Sequence, residues 1–449
     1  MGGFQTILSV CAALLRETAL FAAFGFMLLG LSDLFVDLIW LGLRLFRRRK
    51  PQTFPAAARP GRLAIFLPAW DESPVIGRML EHAQAMFGKA DYRLYVGCYP
   101  NDAATIAAVQ AAAGPRVRPV IGPTPGPTSK ADCLNRLWDR MIEDEAADGV
   151  PIKAVVLHDA EDVVHSAELP LFDALIESYD LVQLPVLPLV DRRSRFISGH
   201  YLDEFTEAHG KDLVVRTAIG AGLPSAGVGC AISRDALAAL AARRGAPFDP
   251  DSLTEDYELG LRLRMLGRNA AFVRLPAGPG RPVIATREYF PATLDAAVAQ
   301  KARWMTGIAL AGWDRLGWSG GLAERWMRLR DRQSLLAALV LAIAYASLAL
   351  YVLLLLASWL RPWTLPPFGP ALTALLAINS ALLLWRLAMR FGFVAAAYGW
   401  REGIRSLPRT VTANIIAMMA ARRAVARYLA GRTQWDKTAH NFPHQLPTE

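Results

Sequence analysis

Three short clusters in the middle of the chain carry side chains suited to chemistry. The apolar run Ala154-Val155-Val156-Leu157-His158 ends abruptly in Asp159-Ala160-Glu161-Asp162. Three carboxylates within four residues at the end of a strand repel one another, a costly arrangement unless a cation sits there. Hard oxygen donors beside a phosphate point to Mg²⁺ or Mn²⁺, with Asp159 and either Glu161 or Asp162 as ligands. Thr254-Glu255-Asp256 then opens an amphipathic pattern, placing acids that can take a proton near a helix N-terminus. In Gln300-Lys301-Ala302-Arg303-Trp304, Gln300 and Arg303 are three residues apart and share a helix face. Arg303 can neutralise a diphosphate leaving group, and Trp304 offers a flat apolar face to an acceptor sugar. Together these are the parts needed to move a sugar from a nucleoside diphosphate to a hydroxyl.

Four further segments contribute on weaker signals. Pro68-Ala69-Trp70-Asp71-Glu72 follows one apolar run and Tyr99-Pro100-Asn101-Asp102 follows the next, and in each an ordinary helix N-cap explains the acid equally simply. Lys130, in Thr128-Ser129-Lys130-Ala131-Asp132-Cys133-Leu134-Asn135, stands at a helix start, where a point charge joins free backbone amides in favouring phosphate or ribose oxygens. Ser225-Ala226-Gly227-Val228-Gly229-Cys230 combines small residues that allow close approach to the backbone.

The ordered set resembles the inverting family 2 glycosyltransferases of the cellulose-synthase type. By that resemblance Asp71 and Glu72 lie at the nucleotide base and Asp102 at the uracil or ribose. Lys130 and Asp159 complete the nucleotide site, and the metal falls to Asp159 with Glu161 or Asp162. Gly227, Val228, Gly229 and Cys230 form the acceptor loop with Trp304. Asp256 is the general base, flanked by Glu255, with Gln300 and Arg303 in the catalytic set. The resemblance implies a UDP-sugar donor, a glycan or lipid-linked acceptor, and export of an exopolysaccharide containing an N-acetylhexosamine. It extends over nearly the whole chain, including His158 to Asp162, Pro224 to Gly229 and the tail Trp435-Asp436-Lys437-Thr438-Ala439-His440-Asn441-Phe442-Pro443. Relatives of this kind carry a further C-terminal cyclic-di-GMP-binding domain. The chain ends at Glu449 without it, so the resemblance leaves open whether that nucleotide regulates this chain. Two alternatives stay open: a single addition to a lipid carrier, and a non-catalytic secretion or phage-receptor scaffold.

The elements that must position these residues follow from periodicity. Apolar runs at 63–67, 94–97, 117–121, 154–158 and 181–186 read as buried strands, and 74–87, 129–142 and 168–178 carry helical spacing between them. Such alternation predicts an α/β, mainly parallel doubly wound sheet with ligands at the carboxyl ends of its strands. The resemblance makes it a glycosyltransferase-A-type fold. Residues 18–43 form a retained N-terminal anchor long enough to cross a bilayer; residues 3–15 either extend it or lie along the interface. The pair 335–360 and 371–389, joined by a Pro-rich turn, predicts a transmembrane hairpin, and 391–430 suits interfacial helices or a third C-terminal span. The expected division is 1–50 anchor, 51–312 catalytic domain entered through a Pro- and Ala-rich linker, 313–430 interfacial and transmembrane helices, and 431–449 polar tail.

Composition agrees with a membrane enzyme. Hydrophobic residues make up 53% of the 449 positions, high for a purely soluble protein. The net charge of +9 gathers beside apolar spans, as in Arg44, Arg47, Arg48, Arg49 and Lys50. Membrane lipids are therefore the expected partner, not nucleic acid, with the catalytic domain on the cytoplasmic side of a bacterial inner membrane. Three spans are too few to enclose a polysaccharide channel alone, so the expectation is self-association, a periplasmic and outer-membrane export partner as the resemblance implies, or a short lipid-linked product. Cys11, Cys98, Cys133 and Cys230 are scattered, without metal or disulfide spacing.

Overall fold

The computed structural model describes residues 2–46, 55–278, 280–360, 363–431 and 441–443. Arg47, Arg48, Arg49, Lys50, Arg361 and the tail positions Trp435 to His440 lie outside the described residues.

Seven strands, β1 (Arg62–Pro68), β2 (Tyr92–Cys98), β3 (Val117–Ile121), β4 (Ile152–Leu157), β5 (Leu181–Gln183), β6 (Cys230–Ser233) and β7 (Ala270–Phe272), form one sheet in the order β3-β2-β1-β4-β6-β5-β7. β1, β2, β3 and β4 pair in parallel, whereas β6 runs antiparallel between β4 and β5. Side chains alternate between faces. Leu63, Ile65 and Leu67 enter one apolar cluster while Ala64 and Phe66 enter the other. Burial on both faces is why the strands read as unbroken apolar runs. β5 is shorter than its apolar run, stopping two residues before Pro185, which lacks an amide donor. The chain winds outward through β2 and β3, then returns to place β4 on the other side of β1. This reversal opens the crevice at the carboxyl ends of β1 and β4, where the acidic turn lies.

The anchor Gly2–Phe46 is one helix, so residues 3–15 continue it. At 1.5 Å per residue it is roughly 65–70 Å long, over twice the hydrocarbon thickness. Ser334–Leu360 and Pro370–Tyr398 are likewise long and apolar enough to cross a membrane. Gly25 lies against Val340 and Gly30 against Leu382, small residues that let the helices close on one another. Trp363, Leu365 and Phe368 of the hairpin turn pack near Leu8 and Leu15, at the N-terminal end of the anchor. Trp400–Leu429 is not among the candidate spans. It is amphipathic, contains Pro408, and buries Arg409 on Asp203 and Glu402.

The acids that interrupt the first apolar span have partners. Asp33 pairs with Arg330 at 2.9 Å and Arg386 at 2.5 Å. Asp37 meets Lys211 at 2.5 Å and the Trp385 indole at 2.8 Å, and Lys211 also reaches Glu207 at 2.9 Å. These bonds join the first helix and the hairpin to the unit built on the sheet. Lys211 is 2% exposed between two buried carboxylates. Lys211→Met leaves them without their cation and should cost about 3–5 kcal/mol. Thermal unfolding in detergent tests this; an unchanged midpoint would show that the cluster does not hold the anchor.

Candidate active site

Five separate elements meet around one cavity of about 780 Å³. Its wall includes Glu72 after β1, Ser129 and Lys130 at a helix start, Asp159 and Glu161 after β4, and Glu255 and Asp256 at another helix start. Gln300, Arg303 and Trp304 of the helix Leu294–Met305 also line it.

Lys130 owes its position to Ser129, whose hydroxyl caps the helix Lys130–Asp148 by accepting from the Asp132 amide at 3.2 Å. Its ammonium lies 2.5 Å from Asp159 Oδ1. Burial works against that charge, yet Asp159, Glu255 and Asp256 together raise its pKa. Asn135, five residues on, makes a two-way bond with the backbone of Phe248, at 2.8 and 3.0 Å. The segment after Phe248, from Pro250 to Asp256, forms a cavity wall, so this one helix supports both the Lys130 side and the Glu255–Asp256 side of the cavity.

The acidic turn divides in two. Asp159 and Glu161 face the cavity. Asp162 is fully buried beneath them, with Oδ2 bonded to His158 Nδ1 at 2.8 Å and to the Asp159 amide at 3.1 Å. Burial, then the neighbouring Asp159, pushes its pKa well above the carboxylate range. Of the two acids expected to complete a metal site with Asp159, Glu161 faces the cavity and Asp162 braces the turn from below. Among the described residues, no three His, Cys, Asp or Glu side chains are arranged to enclose a metal ion. Two cavity-facing carboxylates nevertheless suit Mg²⁺, commonly held by one or two carboxylates together with substrate phosphates.

Asp71 and Asp102 are not among the residues of the cavity wall. Asp102 caps the helix Ala103–Ala112 through the Thr105 amide at 3.1 Å and accepts the Asp71 amide at 2.6 Å. That second bond holds Asp71 at φ +53°, a conformation Asp tolerates better than most residues. The N-cap alternative is thus realised at Asp102.

Thr254 does not cap the helix Glu255–Met265 through its side chain. It is buried against Gly307, where a β-carbon would lie 2.5 Å from its hydroxyl, just beyond Trp304 in the chain. The Thr254-Glu255-Asp256 turn and the Gln300 to Trp304 helix are therefore packed directly together. Burial raises the Asp256 carboxyl, with Lys130 and Arg303 opposing. Burial and then Asp256 raise Glu255 as well.

In the 225–230 loop, Ala226 and Val228 face the cavity. Cys230 is fully buried as the first residue of β6, and its thiol takes the Ser225 hydroxyl at 3.2 Å, so it cannot reach an acceptor. Gly227, at φ +75°, has its backbone against Asp256; a β-carbon would lie 2.6 Å from Oδ2. Gly229 likewise lies beneath the surface against Thr286.

Several contributors fall outside the motifs. The buried Gln183 side chain at the end of β5 accepts the Ala226 amide at 2.8 Å and donates to the Val228 carbonyl at 2.9 Å, shaping the loop. Its signal was a lone amide in an apolar strand, since a buried polar group needs partners. Phe205 and Phe290 line the cavity beside Trp304, with centroids 4.7 Å apart and Phe205 6.2 Å from Trp304. No periodicity distinguished these rings from core residues.

Gly227→Ala would force a side chain into the left-handed region and against Asp256. We expect a loss of about 1–3 kcal/mol, read by melting in detergent; a midpoint equal to wild type would show that the loop accommodates the methyl group.

Comparison with known proteins extends this geometry. The model of the glycosyltransferase-like family 2 matches residues 60–307. Bacteriophage adsorption protein B of Escherichia coli strain K12 is 38% identical over 450 residues, an alignment covering 92% of this chain and 60% of that protein. Bacteriophage N4 adsorption protein B of Escherichia coli O157:H7 matches equally. This chain thus spans 60% of the length of these curated relatives. Among solved structures, mannosyltransferase PcManGT from Pyrobaculum calidifontis, in complex with GDP-Man and Mn²⁺, superposes with a TM-score of 0.54. The match covers 93% of this chain and 99% of that one at 18% identity, a likeness of fold.

Proposed function

The chain belongs to glycosyltransferase family 2, and from that premise we propose that it transfers a sugar from a UDP-sugar to a hydroxyl of a growing exopolysaccharide with inversion at the anomeric carbon. The observation that carries this reading is the convergence of Lys130, Asp159 and Glu161 with Asp256, Arg303 and Trp304 on one cavity. An N-acetylhexosamine is the proposed sugar.

In this mechanism Lys130 and Arg303 bind the diphosphate oxygens, and Trp304 with Phe205 and Phe290 presents flat apolar surface to the acceptor ring. Asp159 and Glu161 would hold Mg²⁺ or Mn²⁺ with the donor phosphates, supplying charge neutralisation at the leaving group. Asp256 accepts the acceptor hydroxyl proton as its oxygen bonds to the anomeric carbon and the bond from that carbon to the diphosphate oxygen breaks. UDP departs with the bonding electrons. Gln300 and Gly227 keep the clamp and the base in place. Positioning and charge neutralisation account for most of the acceleration.

We assign 51–312 to catalysis, 1–50 to the anchor, 313–430 to interfacial and membrane helices, and 431–449 to the tail. The three apolar helices cross the bacterial inner membrane. The Asp33 and Asp37 network lies on the cytoplasmic side with the catalytic unit, and the hairpin turn lies opposite. An export partner or a second copy completes the path for a long product. Addition to a lipid-linked acceptor is the second reading, supported by the count of three candidate spans among the described residues.

The test is UDP release by the protein in nanodiscs, across a panel of UDP-sugars with Mg²⁺ or Mn²⁺. One sugar should support release that is lost with chelator and falls at least roughly a hundredfold in Asp256→Asn, while UDP binding persists. Turnover retained by that variant would remove Asp256 as base. Product length separates the polymer from the single addition.

The pH profile is a separate check. Burial raises the Asp256 carboxyl, so the protonated, inactive form persists to higher pH than for an exposed aspartate. The acidic limb of kcat/KM should therefore lie above the ordinary value near 4; a limb at or below that value would contradict a buried base.

A further inference from the structure

The tail motif singled out in the sequence has no part in the mechanism above, yet part of it is built into the catalytic unit. Phe442 is 6% exposed and belongs to the same apolar cluster as Ala160, Val163 and Val164, which are in and directly after the acidic turn. The helix Ile76–Phe87 receives it with two residues one turn apart. The Arg78 guanidinium lies 5.3 Å from the Phe442 ring and donates to the carbonyls of Phe442, at 3.3 Å, and Pro443. The His82 ring stands edge-on to Phe442 with centroids 6.0 Å apart. His82 Nε2 bonds in turn to the Val164 carbonyl at 3.0 Å, two residues past Asp162.

Main-chain capture by a guanidinium combined with a seated ring is how a peptide ligand is held, with the backbone fixing register and the side chain filling a pocket. The path from ring to acidic turn is also short. Phe442 abuts His82, His82 holds Val164, and the adjoining Val163 is paired with Arg287 through two backbone bonds at 2.7 and 3.1 Å. Arg287 immediately precedes Glu288 and Phe290 of the cavity wall.

We propose that the 441–443 segment is an intramolecular ligand of the helix Ile76–Phe87, and that its seating fixes the acidic turn through His82 and Val164. The occupant is this chain's own C-terminal segment. Anything that withdraws it, whether a binding partner or a pull from sequence beyond, loosens the turn that carries Asp159 and Glu161. The docking stands apart from the glycosyltransferase reading; only its effect on turnover rests on that reading.

Hydrogen exchange on the full chain in nanodiscs tests the docking without requiring a substrate. In Phe442→Ala, exchange should accelerate at least roughly tenfold in residues 76–87 and in 158–166, with β2 unchanged. A synthetic peptide spanning residues 435–449 should restore protection in both segments, and the same peptide carrying Phe442→Ala should not. Arg78→Gln, which keeps the ring pocket, should give the same local pattern and decides the matter if Phe442→Ala opens β2 as well. Unchanged exchange in 158–166 while 76–87 opens would reduce the tail to local packing; unchanged exchange in both, or no rescue by the peptide, would overturn the docking. UDP release by Phe442→Ala should fall in step with the opening of 158–166. A wild-type chain silent with every UDP-sugar but showing the exchange pattern would sink the transferase reading and leave the latch standing.

Discussion

Crowding of negative charge at the carboxyl ends of the central strands is the constraint around which the site is organised. Asp159, Glu161, Glu255 and Asp256 all face one cavity, and Asp162 is buried directly beneath it. Such carboxylates destabilise the fold unless cations and amides compensate them. Lys130 and Arg303 act on the Glu255 and Asp256 pair from outside the acidic turn, while the Asp159 amide and His158 serve Asp162 from within it. His158 is fully buried, and that burial lowers its pKa, so it contributes a neutral ring to a site already rich in ionisable groups. The same crowding makes the cavity receptive to a ligand that brings a cation with it.

The sequence carried this arrangement unevenly, for physical reasons. Strands buried on both faces announce themselves as apolar runs, and β1, β2 and β4 stand close to where those runs lie. Long apolar helices are equally plain, and the first proved longer than its apolar core span, running unbroken from Gly2 to Phe46. Acids were harder to place. An aspartate after a strand can cap a helix or meet a ligand, and local sequence does not separate these uses; Asp102 caps, Asp159 faces the cavity, and Asp162 turns inward only three residues later. Direction of a side chain in a turn is a tertiary property. Gln183 escaped notice, and Asn135 stood out only as part of the Lys130 segment, for the same reason: each stabilises a loop distant in sequence, and its role exists only once that loop is folded against it.

The three long apolar helices are joined to the rest of the chain by the same logic of charge compensation. Asp33 and Asp37 weaken the first apolar span as a membrane signal, but they are the contacts through which the anchor meets Arg330, Arg386, Lys211 and Trp385. A carboxylate in such a position is retained at a desolvation cost that only a geometrically matched cation offsets. The network therefore specifies one rotation of the anchor about its axis, since turning the helix would separate both acids from their partners at once. Arg409, buried on Asp203 and Glu402, plays the equivalent part for the C-terminal helix. The helix Gly199–Glu207 is then held by Arg409 at Asp203 and by Arg390 of the helix Pro370–Tyr398, 3.6 Å from Glu207, while its Phe205 lines the cavity.

This last juxtaposition connects the C-terminal helices to the cavity. Phe205 sits between Asp203 and Glu207, which pair with Arg409 of the helix Trp400–Leu429 and Arg390 of the helix Pro370–Tyr398. Gly307 adds a second link, because the turn bearing Asp256 packs on the continuation of the helix that carries Arg303 and Trp304. The aromatic wall and Asp256 are thereby referred to the helices Leu294–Met305 and Trp400–Leu429, whereas Lys130 and Asp159 are referred to the sheet. A cavity assembled from two such supports is sensitive to their relative position, since displacements of about 1 Å between reacting groups are enough to lower a rate by orders of magnitude. Charge pairs far from the cavity are accordingly part of what makes its geometry definite.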